Sequence, residues 1–183
     1  DGVAGMAMLV THISAAAGAL MWMTVEWIRH GRPGALGAVT GMVAGLGTIT
    51  PASGFVGPMG ALIIGASAGF TCYWATQLVK QRWVIDDSLD VFSVHGVGGA
   101  LGMLLTSVFV MSSLGGAGLP EGVSLASQFG VQALAVVATA AWSALISYLA
   151  LKVAGAVVPL RVGVDEEIEG LDLVNHEERG YNF

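Results

Sequence analysis

Apolar residues in this chain gather into five long runs separated by short polar connections. The runs cover Val3–Ile28, Leu36–Ile49, Met59–Val79, Val91–Met111 and Leu125–Val153. A helix crossing the hydrocarbon of a bilayer needs about 20 residues, within a range of about 17–25. Four runs meet that length. The second is short before Pro51, and its helix is expected to kink there and continue toward Phe55, since proline removes one backbone donor and bends the helix it interrupts. The predicted helices are therefore about 3–28, 36–55, 59–79, 91–111 and 125–153. They define an all-α polytopic membrane protein with about five transmembrane helices. Residues 1–158 form its transmembrane region and residues 159–183 a polar tail.

Composition agrees with that pattern. The chain has 183 residues, of which 55% are hydrophobic and only 11% charged. Its mean hydropathy is +0.75. Soluble domains carry about 25% charged residues, so too few charges are present to cover a soluble surface. The formal net charge of −6 reflects the tail, where Asp165, Glu166, Glu167, Glu169, Asp172, Glu177 and Glu178 concentrate. No basic stripe is present, and nucleic-acid binding has no support. Cys72, the single cysteine, lies inside an apolar run and reads as a small packed residue.

Cations set an orientation. Arg29 and Arg32 lie in the first connection, Lys80 and Arg82 in the third, and Lys152, Arg161 and Arg179 at or after the end of the fifth run. The second and fourth connections hold no Lys or Arg. Cytoplasmic loops carry the excess of Lys and Arg, which places the first residues outside and the tail in the cytoplasm of a multi-pass protein of the cell membrane. Trp22, Trp27, Trp74 and Trp83 fall near the inner ends of the first and third helices, where interfacial aromatics belong. The chain opens at Asp1 with no initiator methionine and no cationic leader, which reads as an interior point of a longer protein.

Glycine numbers 27, and much of it recurs at fourfold spacing: Gly37, Gly41 and Gly45; Gly65 and Gly69; Gly98 and Gly102. Small residues at this spacing let helices approach closely in lipid. His95 sits in the fourth run, in Asp90–Gly99, DVFSVHGVGG. An ionisable group at that depth is costly and marks a partner, a cavity or a pathway. Val91, His95, Gly99 and Gly102 share a helix face. A neutral imidazole there could pass a small polar molecule, relay a proton, or simply bond to a neighbouring helix. Asp86, Asp87 and Asp90 precede that helix, and acids at this place cap it; Asp90 is the expected cap, with Asp87 beside it. His12 reads as structural, Glu26 as a headgroup contact or a partner of Arg29, and His30 as interfacial. Neither metal-ligand spacing nor a nucleophile with its base is evident, so no cofactor and no enzymatic activity are expected.

Three separated segments strengthen this reading. Asp90–Gly99, the stretch Gly31–Gly65 (GRPGALGAVTGMVAGLGTITPASGFVGPMGALIIG) and the tail Glu169–Phe183 (EGLDLVNHEERGYNF) together resemble the ammonium transporter (Amt/Mep/Rh) family, and its Amt branch in particular. The resemblance covers the whole chain. It implies an eleven-helix fold of which these five helices are the last, a homotrimer, one pore per subunit, and transport of ammonium or ammonia. It matches His95 to the second of the family's twin pore histidines, Val91 to an apolar residue at the cytoplasmic constriction, and Thr40 to a small hydroxyl residue of the cytoplasmic vestibule. Asp87 and Asp90 match acids at the start of the pore helix. Gly170, Leu171 and Asp172 match a tail motif that packs against the neighbouring subunit, near where signal proteins of the PII class dock. The tail threonine that plant members phosphorylate is replaced here by Val174. A sensor on the same scaffold is the alternative the resemblance leaves open.

Overall fold

The computed structural model describes residues 2–180. Asp1 and the last three residues of the tail segment, Tyr181, Asn182 and Phe183, lie outside the described residues. Helices, turns and irregular connections make up the described residues, with no strand among them. In order these are α1 (Gly2–His30), α2 (Ala35–Ile49), α3 (Pro58–Gln77), a π turn (Leu78–Arg82), a second π turn (Phe92–Val97), α4 (Gly98–Phe109), a 3-10 turn (Ser112–Leu114), α5 (Leu125–Val157), α6 (Val164–Glu169) and α7 (Leu171–His176). Among the described residues, four helical stretches are long and apolar enough to cross a membrane: Gly2–His30, Pro58–Arg82, Phe92–Phe109 and Leu125–Val157.

The second helix differs from expectation. It stops at Ile49, and Thr50–Phe55 form turns instead of a continuation to residue 55. Pro51 is the cause. It offers no N–H, and its ring excludes the carbonyl one turn back. The next donor, the Ala52 N–H, bonds the Ile49 carbonyl three residues away at 2.8 Å, which tightens the chain into a turn. Pro58 then opens α3 at its first position, where a missing donor costs nothing. With 15 residues, α2 is roughly 22 Å long, shorter than a hydrocarbon core of about 30 Å.

Glycine contacts hold α1, α2 and α3 together. The Ser14 carbonyl on α1 lies between Gly45 on α2 and Gly65 on α3, and a methyl group on either glycine would overlap it. One turn on, Gly18 meets Gly41 and Gly69 in the same way. The Ser14 hydroxyl donates to the Gly45 carbonyl at 2.8 Å. Lipid supplies no hydrophobic drive between helices, so close packing and such interhelical bonds carry the association. Trp22, Val25, Ala44, Ala68, Cys72, Tyr73 and Val94 form one apolar cluster beside this crossing. Val10, Ile49, Ala52, Val56, Ala61 and Ile64 form the other. Trp22 is thus a core residue at 4% exposure, packed edge-on to Tyr73 at 5.4 Å. Trp27, Trp74 and Trp83 are exposed.

The connection from α1 to α2 is tied by Glu26. Its carboxylate accepts from the Gly34 N–H at 2.8 Å and from the Trp22 indole N–H at 3.1 Å. The same carboxylate occupies the space that a side chain at Gly37 would need. Its partners are therefore the start of α2 and a core tryptophan. Arg29 instead stacks over Trp74, 4.5 Å from the ring centroid.

Two compact units are present, residues 1–136 and 137–183. Their boundary falls within α5, whereas the polarity change in the sequence falls near residue 159. In the second unit the acidic stretch is helical. The Glu166 carboxylate accepts from the Gly163 N–H at 2.9 Å and so caps α6. Gly170 joins α6 to α7 at φ +106°, a conformation L side chains rarely adopt.

Candidate functional site

His95 lies within the π turn Phe92–Val97, which runs directly into α4. π turns inside helices are rare and concentrate at functional sites. Here the turn leaves His95 and Val91 exposed on one face and buries Ser93 and Val94 on the other. Val91, at 52% exposure, sits four residues before the imidazole.

Helix α2 passes close to this ring. A methyl group on Gly47 would stand 3.7 Å from His95 Nδ1 and 3.5 Å from the Val94 carbonyl. One residue on, Thr48 packs on α4: its hydroxyl oxygen is 2.8 Å from where a Gly98 methyl group would lie, and its carbonyl faces Gly102. Pro51, in the turn just beyond α2, also faces Gly102, so α2 and α4 run in the same direction. Thr40 is seven residues before Gly47, two turns along the same stripe and roughly 10 Å away along the helix axis. Its hydroxyl donates back to the Leu36 carbonyl at 3.0 Å, and its oxygen can still accept. Val91 and Thr40 thus lie on the same side of the imidazole along the helix axes, and only Val91 is within one turn of it.

The helix start is capped, though not as expected. Asp87 accepts from the Val91 N–H at 2.8 Å and the Phe92 N–H at 3.0 Å, one through each carboxylate oxygen. Asp90 does not cap. Its φ of +56° turns its side chain away from the helix end, and its carboxylate pairs with Lys80 at 2.8 Å. That pairing, the Glu26 bonds and the approach of Gly47 to the imidazole carried no signal in the sequence.

Other candidates lie apart. His12 is exposed on α1. His30 is in hydrogen-bond contact with the Tyr73 hydroxyl at 3.1 Å. Gly170, Leu171 and Asp172 belong to the second unit, where the Gly170 carbonyl accepts from the Leu173 and Val174 N–H groups and starts α7.

A sequence model of the Ammonium Transporter Family matches residues 1–181. The chain belongs to the ammonium transporter family. The ammonium transporter of Bacillus subtilis is 40% identical over 183 residues, covering 99% of this chain and 45% of the relative. Ammonium transporter Amt1 of Archaeoglobus fulgidus is 43% identical over 185 residues, covering 99% of this chain and 46% of the relative. Among solved structures, a "Sensor Amt Protein" superposes with a TM-score of 0.87 at 31% identity, over 96% of this chain and 43% of that one. The chain thus spans less than half the length of these ammonium transporter relatives. Family membership and the apolar helices make it a multi-pass membrane protein.

Proposed function

We propose that the chain supplies part of the wall of a pore that carries ammonium or ammonia across the cell membrane, with His95 as its polar group at mid-membrane. The observation that carries this reading is His95 itself: an imidazole on an exposed, otherwise apolar face, set in a π turn opposite a bare glycine. Carrying an ammonium ion intact through an apolar conduit is opposed by desolvation. Deprotonation, with ammonia and proton moving separately, lowers that cost. The imidazole has one donor and one acceptor nitrogen for the two species. Val91 narrows the conduit one turn away, and Thr40 offers an acceptor beyond it.

In this reading the beginning of the chain faces outside and the tail faces the cytoplasm, as the cation distribution implies. The subunit assembles as a homotrimer. Gly170, Leu171 and Asp172 form the regulatory turn of the tail, facing a neighbouring subunit and a PII-class partner. A sensing role without net transport is the second reading, motivated by the superposition on a protein titled a sensor.

The test is ammonium-elicited charge displacement in proteoliposomes. It compares the chain alone with the chain plus the N-terminal portion of the Archaeoglobus fulgidus relative. Current only in the second preparation, reduced below about a tenth by His95→Leu, is expected. Undiminished, saturable current in His95→Leu would overturn the assignment. Ammonium binding without current in either preparation favours the sensor.

A further inference from the structure

The two π turns among the described residues lie at the same end of the α3–α4 pair. Gly60 near the start of α3 packs on Phe109 at the end of α4, and Cys72 packs on Gly98, so the two helices are antiparallel. Between the π turns, residues 83–91 hold two left-handed residues, Val84 at φ +54° and Asp90 at φ +56°. Each is strained, Val84 more so because it is β-branched. Such conformations persist where surrounding contacts hold them.

At Asp90 the contact comes from the first π turn. Lys80, in the first π turn, places its ammonium 2.8 Å from the Asp90 carboxylate and 3.5 Å from the Ser88 carbonyl. Asp90 is also the residue on which the His95 turn is built, since its own carbonyl accepts from the Val94 N–H at 2.8 Å. The Asp90 side chain is only 15% exposed, against 37% for Lys80. An exposed ion pair would matter little. Here the carboxylate is the buried partner, and removing its cation leaves a charge that must find water. If Asp90 relaxes out of its strained left-handed conformation in doing so, the bond from the Val94 N–H is released. Slipping the helix start by one residue rotates every following side chain by about 100°, which would carry the imidazole off Gly47.

We infer that Lys80 is a positioning residue for His95, acting through Asp90, and this rests on the pore reading only for its effect on transport. The experiment separates the two. A thiol is placed by Val91→Cys in the chain reconstituted in lipid, and its reaction rate with a cationic methanethiosulfonate reagent is measured. Native Cys72 is fully buried and silent. A thiol placed by Ser124→Cys serves as the reference for overall fold. Lys80→Met is expected to change the rate at position 91 by about tenfold, and Lys80→Arg to restore it. The rate at position 124 stays constant in both. Asp90→Asn, which keeps shape and removes the charge that would seek water, should return the position-91 rate in Lys80→Met to its starting value, and Lys80→Gln replaces Lys80→Met if the latter does not fold. A position-91 rate unaltered by Lys80→Met or, where that variant does not fold, by Lys80→Gln would overturn the inference. An altered rate alongside transport insensitive to His95→Leu would sink the pore reading and leave the role of Lys80 standing.

Discussion

Single residues in this chain are constrained mainly by the space they leave. A methyl group at Gly65 would overlap the Ser14 carbonyl, a backbone atom that cannot swing aside. Gly65→Ala should therefore cost about 1–3 kcal/mol, as overpacking does, read as a lowered thermal midpoint in detergent. Gly130 on α5 meets nothing within 4 Å, and Gly130→Ala should gain about 0.5–1 kcal/mol from helix propensity. The spacing of the glycines made this crossing legible in the sequence, because a fourfold repeat places small residues on one face whatever lies opposite. His95 was legible for the converse reason: an ionisable side chain stands out against an apolar run. The partners of Asp90 and Glu26 were not legible. Each depends on the path of a connection, and sequence distance says little about which donor a carboxylate reaches after a left-handed residue or a turn.

Elements depend on how their ends are satisfied. Asp87 closes two free N–H groups at the start of the His95 turn. Asp87→Ala should cost about 0.5–2 kcal/mol, the range for losing an N-terminal cap, and Asp87→Asn less, since one acceptor oxygen remains. Thermal unfolding of the two variants side by side checks the order. Glu26 does the same service for α2 through Gly34. Glu26→Gln keeps one acceptor for two donors, and should loosen the α1–α2 connection by about 1 kcal/mol; faster hydrogen exchange at the Gly34 amide is the expected signature. The end of α2 shows what an apolar pattern omits. Hydropathy continues past Pro51, but the hydrogen-bond ladder does not, and the ladder decides where a helix stops.

At the scale of the whole molecule, family and fold class were readable from three motifs and the count of apolar runs. The division into compact units was not, because it falls inside a helix whose composition is uniform on both sides of the boundary. Helix α5 has no buried residue within the described structure, and large apolar side chains on it, such as Phe129, Leu134 and Trp142, are exposed. Coverage of under half of the Bacillus subtilis relative accords with such surface. Adding the N-terminal portion of a relative should protect α5 amides from exchange as well as restore current. Gly170→Ala should lower the helicity of the tail, because its φ of +106° is strained for alanine; circular dichroism of the tail segment reads this directly.

The Ser14 carbonyl, gripped by α2 on one side and α3 on the other, also bears on the order in which the helices assemble. Two helices alone already share the bond from the Ser14 hydroxyl to Gly45, so α1 and α2 have a reason to pair as soon as both are in the bilayer. The groove presented by Gly65 and Gly69 is complementary to a ridge that this pair has then already formed. Assembly in chain order would thus offer each arriving helix a matching surface, and α3, closing on Ser14 and Gly18 from the other side, would act as a clasp that stabilises the earlier pairing.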